Sequence, residues 1–232
     1  MKDFPGKNLR TFGFFSHGGG GKTSVGEAML FLSGANTRLG KVMDETSVLD
    51  FEPEEKKRKS SIATAVGNFE WNKHLLFLVD TPGDPNFITE ARNSLVAVDT
   101  AVFMVDAVDG VKILTSKLFQ DAKSLGIGRA FFITKLDKER ADFKAAVENI
   151  EKSLEVTVCP ITIPIGKEAS FKGVIDLIKM KAYSYPEDGS GKKHESDIPA
   201  DLKDEAQSFR EKMIEAVAES KDELKKFLDG KE

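Results

Sequence analysis

The sequence predicts an α/β domain with a mostly parallel sheet covered by helices on both faces, followed by an inserted α+β subdomain. Two observations predict the first part. Short, unbroken apolar runs alternate with helical patterns, as expected of strands that are buried on both faces. The first of these runs also stops at a cluster of glycines that opens a helix, which is the order of a phosphate-binding strand, loop and helix.

The predicted elements follow one another along residues 1–158. The predicted strands are 9–15, 62–69, 74–79, 101–105 and 130–133. The predicted helices are 22–32, a segment that ends near residue 98, 112–125 and 143–154. Residues 36–61 are rich in charge and have no sustained apolar period, so we expect a long, mobile loop there.

The character of the sequence changes near Pro160, which predicts a domain boundary there, with the second part at residues 159–232. Prolines bracket the short apolar run 161–163, and 170–178 is a further apolar segment that contains a glycine. A polar, turn-rich tract covers 186–193, and 200–228 has a charged, amphipathic helical pattern. A subdomain of this size needs a neighbour against which to pack.

Composition excludes several classes of protein. The chain has 232 residues, of which 40% are hydrophobic and 31% are charged, and its net charge of −4 argues against sequence-specific DNA binding. Cys159 is the only cysteine and the three histidines are scattered, so neither a disulfide nor a zinc cluster is expected. No apolar run reaches membrane-spanning length and the first ten residues lack a signal-peptide pattern. We expect a cytoplasmic, monomeric protein without a membrane partner.

A phosphate-binding loop is predicted where the first strand meets the first helix. The segment 16–23 (SHGGGGKT) matches glycine, four residues, then Gly-Lys-Ser/Thr, except that Ser16 replaces the first glycine. Backbone amides there and at the helix start can surround an anion, while Lys22 reaches the β- and γ-phosphates and Thr23 ligates Mg²⁺. The predicted nucleotide-binding residues of this loop are His17, Gly18, Gly19, Gly20, Gly21, Lys22, Thr23 and Ser24. Kinases, ATPases and GTPases share such a loop.

Two further motifs follow predicted strands. Asp80 ends an apolar strand and precedes Thr-Pro-Gly, so its carboxylate can hold the Mg²⁺ shell while the Gly83 amide contacts the γ-phosphate. The segment Thr134-Lys135-Leu136-Asp137 follows another strand. The Asp137 carboxylate can accept two hydrogen bonds from guanine, a pair of donors that adenine lacks, and the Lys135 stem can lie over the base. In this order the three motifs favour a guanine nucleotide.

From about Asn8 onward, the chain resembles the G domain of elongation factor G with its characteristic insertion. The resemblance is carried by the three motifs and by residues 26–34 (GEAMLFLSG), 106–111 (DAVDGV) and 171–177 (FKGVIDL), the last of which opens the insertion in that family. It implies a P-loop NTPase fold of the Ras-like G-domain type that binds GTP or GDP with Mg²⁺. It also implies a ribosome-dependent GTPase of protein biosynthesis, which drives movement of tRNA and mRNA or a related step.

Three positions depart from the family pattern without changing the expected chemistry. In the family, the first switch loop ends in a threonine that reaches Mg²⁺ in the GTP state, and here Ser61 would supply that hydroxyl beside Thr23 and Asp80. Gly19 replaces an aspartate of the phosphate loop, which removes a supporting carboxylate. Thr134 replaces the asparagine that opens the base-binding motif, so we expect this loop to be held less well.

A fourth departure concerns catalysis, to which the resemblance assigns Lys22, Gly83 and position 84. Asp84 stands where the family has the histidine that is thought to orient the attacking water. A carboxylate there is repelled by the γ-phosphate and cannot donate to it. The alternative role of Asp84 is to cap a helix that begins at Pro85. In either role, position 84 lacks the histidine that orients the attacking water in the family.

The family's final nucleotide-binding loop, a Ser-Ala pair, has no counterpart after Pro160. We therefore expect the sequence to stop before the last strand and helix of the G domain, as a piece of a longer protein. Two alternatives to an elongation factor G-like GTPase remain open. One is a GTP-binding switch with weak or no hydrolysis that acts by occupancy. The other is a P-loop ATPase or kinase, which would leave the Thr134–Asp137 motif without a role.

Overall fold

The structure, a computed structural model, describes residues 4–186 and 190–217. They belong to two compact units. The first contains the described residues up to Lys135 together with Lys152–Leu154, and the second contains Leu136–Glu151 and the described residues from Glu155 onward. This division falls earlier in the chain than residue 158, and the predicted boundary between a nucleotide-binding core and an insertion stays a prediction.

The first unit is built on a single sheet. Its strands are β1 (Leu9–Phe15), β2 (Ala65–Trp71), β3 (His74–Asp80), β4 (Thr100–Asp106) and β5 (Gly128–Thr134). Its helices are α1 (Lys22–Leu32), α2 (Pro53–Arg58), α3 (Ile88–Leu95) and α4 (Ile113–Ser124), while α5 (Phe143–Leu154) contributes residues to both units. The strand order is β2-β3-β1-β4-β5, with β2 antiparallel to β3 and all other neighbours parallel. The predicted mostly parallel sheet is confirmed.

Adjacent side chains in the central strand show that helices cover both faces of this sheet. Phe14 packs in a core cluster with Leu30 of α1. Phe15 instead meets Phe103, whose ring lies 5.3 Å from that of Phe119 on α4. Because successive side chains of a strand point to opposite faces, α1 and α4 lie on opposite sides of the sheet. The carboxyl ends of the parallel strands are left at one edge, where ligands of such sheets bind.

The segment 36–61, which we expected to be a long, mobile loop, includes regular structure. It contains the six-residue helix α2, and the carboxylate of Glu55 in that helix is completely buried. A capping box of Glu52 and Glu55 with Pro53 at the first helical position starts α2, and Glu55 also accepts the amides of Ile62 and Ala63. Those two amides are thereby withdrawn from strand pairing, so β2 begins at Ala65 rather than at Ile62 as predicted.

The second unit contains an antiparallel sheet, which confirms the predicted α+β character. Its strands β6 (Thr162–Ile165), β7 (Gly173–Asp176), β8 (Lys181–Ser184) and β9 (His194–Ser196) pair in sequence order. Helix α6 (Lys203–Val217) contributes Ala206, which packs with Ile175 and Leu177 of the unit's core. The predicted continuation of this helix to residue 228, and part of the turn-rich tract, lie outside the described residues. Within the described ranges, no helix is both long and apolar enough to cross a membrane.

Candidate functional site

The glycine loop between β1 and α1 adopts backbone conformations that other residues avoid. Gly19 and Gly21 have φ angles of 76° and 89°, in the left-handed region. Gly21 also precedes the first residue of α1. Such a turn directs successive backbone amides toward one point at the positive end of the helix dipole, which favours an anion. Gly18 and Gly19 in the loop are exposed to solvent, and so is Ser24 in the first turn of α1.

Lys22 is buried beneath this loop and folded back onto it. Its Nζ donates to the carbonyl oxygens of His17 and Ser16 at 3.0 and 3.2 Å and to Ser16 Oγ at 3.3 Å. Ser16 is fully buried, so the residue that departs from the usual glycine fits the loop and adds an acceptor for the lysine. Burial lowers the pKa of Lys22 to about 8 although Asp80 raises it. The acceptors of this amine are uncharged carbonyl and hydroxyl oxygens, and an anionic ligand would form stronger, charge-assisted hydrogen bonds with it.

Thr23, Ser61 and Asp80, the three predicted metal ligands, lie together, and Asp50 joins them. The hydroxyl of Thr23 donates to Asp80 Oδ2 at 2.7 Å, and that of Ser61 donates to Asp50 Oδ1 at 2.7 Å. Thr23 Oγ1 and Ser61 Oγ are 3.2 Å apart. This is hydrogen-bond distance, and either hydroxyl can be the donor.

These oxygens fit a hard divalent cation. Adjacent ligands of an octahedral Mg²⁺ lie about 3 Å apart, because each is about 2.1 Å from the metal. Asp80 Oδ1 and Asp50 Oδ2 are buried without a hydrogen-bond partner among the described residues. Burial raises the pKa of Asp80 to about 7 and raises that of Asp50 as well. No group of three His, Cys, Asp or Glu side chains in the described ranges could hold a metal alone, so a cation here would need these hydroxyls and oxygens from its ligand.

The segment after Asp80 lies against the glycine loop. Thr81 Oγ1 donates to the carbonyl of Phe14 at 2.6 Å, which fixes the turn to β1. A Cβ atom added to Gly83 would lie 2.6 Å from the Gly18 amide nitrogen and would overlap Lys22 Nζ. Only glycine fits at this position, and its backbone is next to the residues that are predicted to bind phosphate.

Asp84 caps the short helical turn that follows. Its Oδ1 accepts the amide of Asn86 at 2.8 Å, and Pro85 occupies the first position of a 3-10 helix that spans Pro85–Phe87. The predicted capping role is therefore confirmed, although the turn is a 3-10 helix and α3 ends at Leu95 rather than near residue 98. In this arrangement the Asp84 carboxylate accepts a hydrogen bond from the backbone two residues ahead.

The first half of the base-binding motif is tied to the glycine loop. Thr134 Oγ1 donates to the carbonyl of Gly20 at 3.1 Å, and its methyl group faces Gly21. Thr134 thus reaches the phosphate loop, and the weaker hold that we expect relative to asparagine stays a prediction. Lys135 Nζ pairs with Asp106 Oδ2 at 2.6 Å, and Lys135 has a left-handed φ of 60°. Burial raises the pKa of Asp106, but hydrogen bonds from Lys135 and from the Val108 and Asp109 amides outweigh it and leave that pKa lowered.

The remaining predicted residues have simpler surroundings. Asp137 belongs to the second unit, where its exposed carboxylate lies 3.3 Å from Lys138 Nζ. Its guanine-binding role stays a prediction. The backbone amide of His17 donates to Thr115 Oγ1 at 3.2 Å, which supports a packing role for this residue. Burial, and then Lys22 and Lys112, lower the pKa of the His17 ring.

Sequence reasoning missed Asp50, Glu55 and Asp106. Asp50 lies in a charged segment without periodicity, so no pattern distinguishes it from its solvated neighbours. Glu55 could have been found, because a glutamate three residues after a cap position with proline between them is a helix-start signature. Asp106 ends a buried strand as Asp80 does, and that shared placement at the carboxyl edge was its signal.

Comparison with known proteins agrees with this geometry. The family model of the elongation factor Tu GTP-binding domain matches residues 7–230. A crystal structure of a protein from Thermus thermophilus superimposes with a TM-score of 0.89 and 34% sequence identity, covering 98% of this chain. The match covers 34% of the length of that protein, so the chain spans about a third of it. The match over nearly the whole sequence, together with the glycine loop and the Thr23–Asp80 cluster, shows that this chain belongs to the elongation factor Tu GTP-binding domain family of translational GTPases.

Proposed function

We propose that this domain binds GTP and GDP with Mg²⁺ and hydrolyses GTP, as part of an elongation factor G-like translation factor that acts on the ribosome. The observation that carries the proposal is the convergence of Thr23, Ser61 and Asp80 at the start of α1, beside the glycine loop and Lys22. Family membership supports the guanine nucleotide and the ribosome as partners.

The phosphates would bind at the glycine loop. Amides of Gly18, Gly19, Gly20 and Gly21 would surround an anion there, and Lys22 would exchange its carbonyl acceptors for phosphate oxygens. When bound, Mg²⁺ neutralises charge on the β- and γ-phosphates. The residues that would hold it are Thr23, Ser61 and Asp80, while Asp50 orients the Ser61 hydroxyl.

The base would bind beside Thr134 and Lys135. The Thr134 hydroxyl holds this segment to Gly20, and the ion pair with Asp106 fixes the end of the Lys135 side chain, so that the aliphatic stem presents a flat apolar surface. Asp137 is proposed to select guanine, because its carboxylate accepts from the two adjacent donors that only guanine presents. Adenine would leave those acceptors unpaired.

The capping role of Asp84 bears on how fast GTP is hydrolysed. Hydrolysis requires a water molecule aligned with the γ-phosphate, and the Gly83 amide is proposed to donate to that phosphate. Asp84 accepts a backbone hydrogen bond, and its carboxylate is negatively charged, so the γ-phosphate repels it. We therefore propose turnover on the order of 10² to 10³ slower than with a well-placed orienting group.

This capping observation favours a second candidate function, a switch that loads GTP and acts by occupancy with little hydrolysis. The two functions share the binding site and differ only in the chemical step. Single-turnover GTP hydrolysis by the intact protein, with and without ribosomes, distinguishes them. Ribosome-stimulated hydrolysis supports a translation-factor GTPase, and loading without stimulation supports the switch.

The variant Asp84→His tests the explanation for slow turnover. It should raise the stimulated rate, partly offset by loss of the cap, which stabilises the turn by about 1 kcal/mol. An Asp84→Asn variant is the matched control, because asparagine keeps the cap and removes the charge. If the wild type is already as fast as Asp84→His, another group orients the water and the proposed rate limit is wrong.

A further inference from the structure

Glu27 is a fully buried carboxylate to which the proposed mechanism gives no role. It lies on α1 one turn beyond Thr23, so both side chains project from the same side of the helix. Glu27 Oε1 accepts three hydrogen bonds, from Ser47 Oγ at 2.7 Å, the Val48 amide at 2.6 Å and the Leu49 amide at 2.9 Å. A buried charge is retained only where such partners compensate for lost hydration.

The three donors come from the segment that carries Asp50. Ser47 Oγ accepts the Asp50 amide at 3.1 Å, and Asp50 in turn accepts the Ser61 hydroxyl beside Thr23. A continuous hydrogen-bonded path therefore leads from Glu27 to the oxygens of the proposed metal site. It leaves α1 at Glu27 and returns to α1 at Thr23, one helical turn earlier.

Gly40 closes the other side of Glu27. A Cβ atom at Gly40 would lie 2.7 Å from Glu27 Cδ and would overlap Oε2, so no larger residue fits. Glu27 Oε2 has no hydrogen-bond partner among the described residues, and Gly40 is buried over it. The carboxylate is thus enclosed by the loop, and Oε1 alone makes the contacts that hold residues 47–49.

We infer that Glu27 is a positioning residue that docks residues 47–50 against α1 and so places Asp50 and Ser61 at the metal site. This inference rests on the proposed function, because it assigns Glu27 to the Mg²⁺-dependent part of nucleotide binding. Within the part of the chain that the structure describes, neither the glycine loop nor Lys22 is hydrogen-bonded to residues 47–50, so phosphate binding without metal does not depend on the docking of that segment. Glu27 is not a catalytic residue, since it acts only through Asp50 and Ser61.

The test compares Glu27→Ala with Glu27→Gln and with Glu54→Ala. Glutamine can place its carbonyl oxygen where Glu27 Oε1 accepts its hydrogen bonds. It should therefore restore most of the Mg²⁺-dependent affinity that Glu27→Ala loses. Glu54 is a matched control in the same segment, because its carboxylate is half exposed and, among the described residues, pairs with Arg58 in the next turn of α2. Ser47→Ala removes one donor and leaves Glu27 intact, and it serves if Glu27→Ala does not fold.

Two measurements are made on each variant. Affinity for a non-hydrolysable GTP analogue is measured by calorimetry in Mg²⁺ and in EDTA, and amide hydrogen exchange of residues 47–49 is measured without nucleotide. In Glu27→Ala we expect the Mg²⁺ enhancement of affinity to fall about tenfold, as for loss of a charge-assisted hydrogen bond, with the EDTA affinity within about twofold of wild type. Exchange at Val48 and Leu49 should accelerate at least about tenfold, while Glu27→Gln and Glu54→Ala stay near wild type.

The outcomes separate this inference from the proposed function. If the wild type binds no guanine nucleotide, the proposed function fails, whereas the exchange data still report whether Glu27 docks the loop. Equal losses of affinity in Mg²⁺ and in EDTA would show that Glu27 merely stabilises the fold, and would overturn the inference. Unchanged exchange at Val48 and Leu49 in Glu27→Ala would overturn it as well.

Discussion

Replacing Asp80 by asparagine should stabilise the metal-free domain and abolish its response to Mg²⁺. Asp80 is buried, Oδ2 accepts the Thr23 hydroxyl and Oδ1 has no partner among the described residues. Burial raises its pKa from 3.8 to about 7, so the ionised form is disfavoured in the native state. Asparagine has the same shape, keeps an acceptor for Thr23 and carries no charge.

The size of the effect follows from that pKa. A difference of about three units corresponds to about 4 kcal/mol at 1.36 kcal/mol per unit, which is an upper limit for the destabilisation by the ionised group. The amide nitrogen of the variant takes the place of Oδ1 and costs about 1 to 3 kcal/mol if it stays unpaired. We therefore expect a net gain of about 1 to 3 kcal/mol at pH 8, or several degrees in Tm for a domain of this size.

The sign of the pH dependence distinguishes this explanation from a general effect of the substitution. A carboxyl whose native pKa is raised binds its proton more tightly in the folded state, so its contribution favours folding below about pH 4 and is lost as the pH rises to about 7. The assay is denaturant unfolding of both proteins in EDTA between pH 4 and pH 8. Asp80→Asn should equal or fall below wild type in stability at pH 4 and exceed it at pH 8. A difference that does not change with pH would refute the reasoning.

Three further substitutions test separate parts of the site. Lys22→Ala should weaken GDP binding about ten- to a hundredfold in calorimetry, as expected for a lost charge-assisted contact, and an unchanged affinity would place the phosphates elsewhere. Asp137→Asn should shift the preference from guanine toward xanthine nucleotides in competition binding, and a variant that still prefers GDP would exclude Asp137 as the reader of the base. Thr134→Val keeps the shape and removes the hydrogen bond to Gly20, so GDP affinity should fall a few-fold; an unchanged value would show that this hydrogen bond does not support the site.

Patterns with a fixed local geometry could be predicted from the sequence. Helices α1 and α5 begin and end where the apolar period does, and the glycine loop joins β1 and α1 as its spacing indicated. The capping role of Asp84 was also predictable, since aspartate before proline is a helix-start pair. In each case the determining contacts lie within a few residues along the chain.

The organisation of residues 36–61 could not be predicted, because its contacts are not local. Asp50 is placed by Ser61 and Ser47, and that segment is anchored by Glu27, which lies about twenty residues earlier in the chain. Glu55 likewise reaches forward to Ile62 and Ala63 from inside a six-residue helix. Buried glutamates in a highly charged segment look like solvated ones until the fold is known.

The central claim is that this site binds a guanine nucleotide together with Mg²⁺. The most direct test is calorimetric titration of the nucleotide-free protein with GDP and with ADP, each in Mg²⁺ and in EDTA. The four titrations report base selectivity and metal dependence in the same protein. The account predicts that GDP binds at least about a hundredfold more tightly than ADP and that Mg²⁺ strengthens GDP binding. Equal affinities for GDP and ADP, or GDP binding that Mg²⁺ does not change, would contradict it.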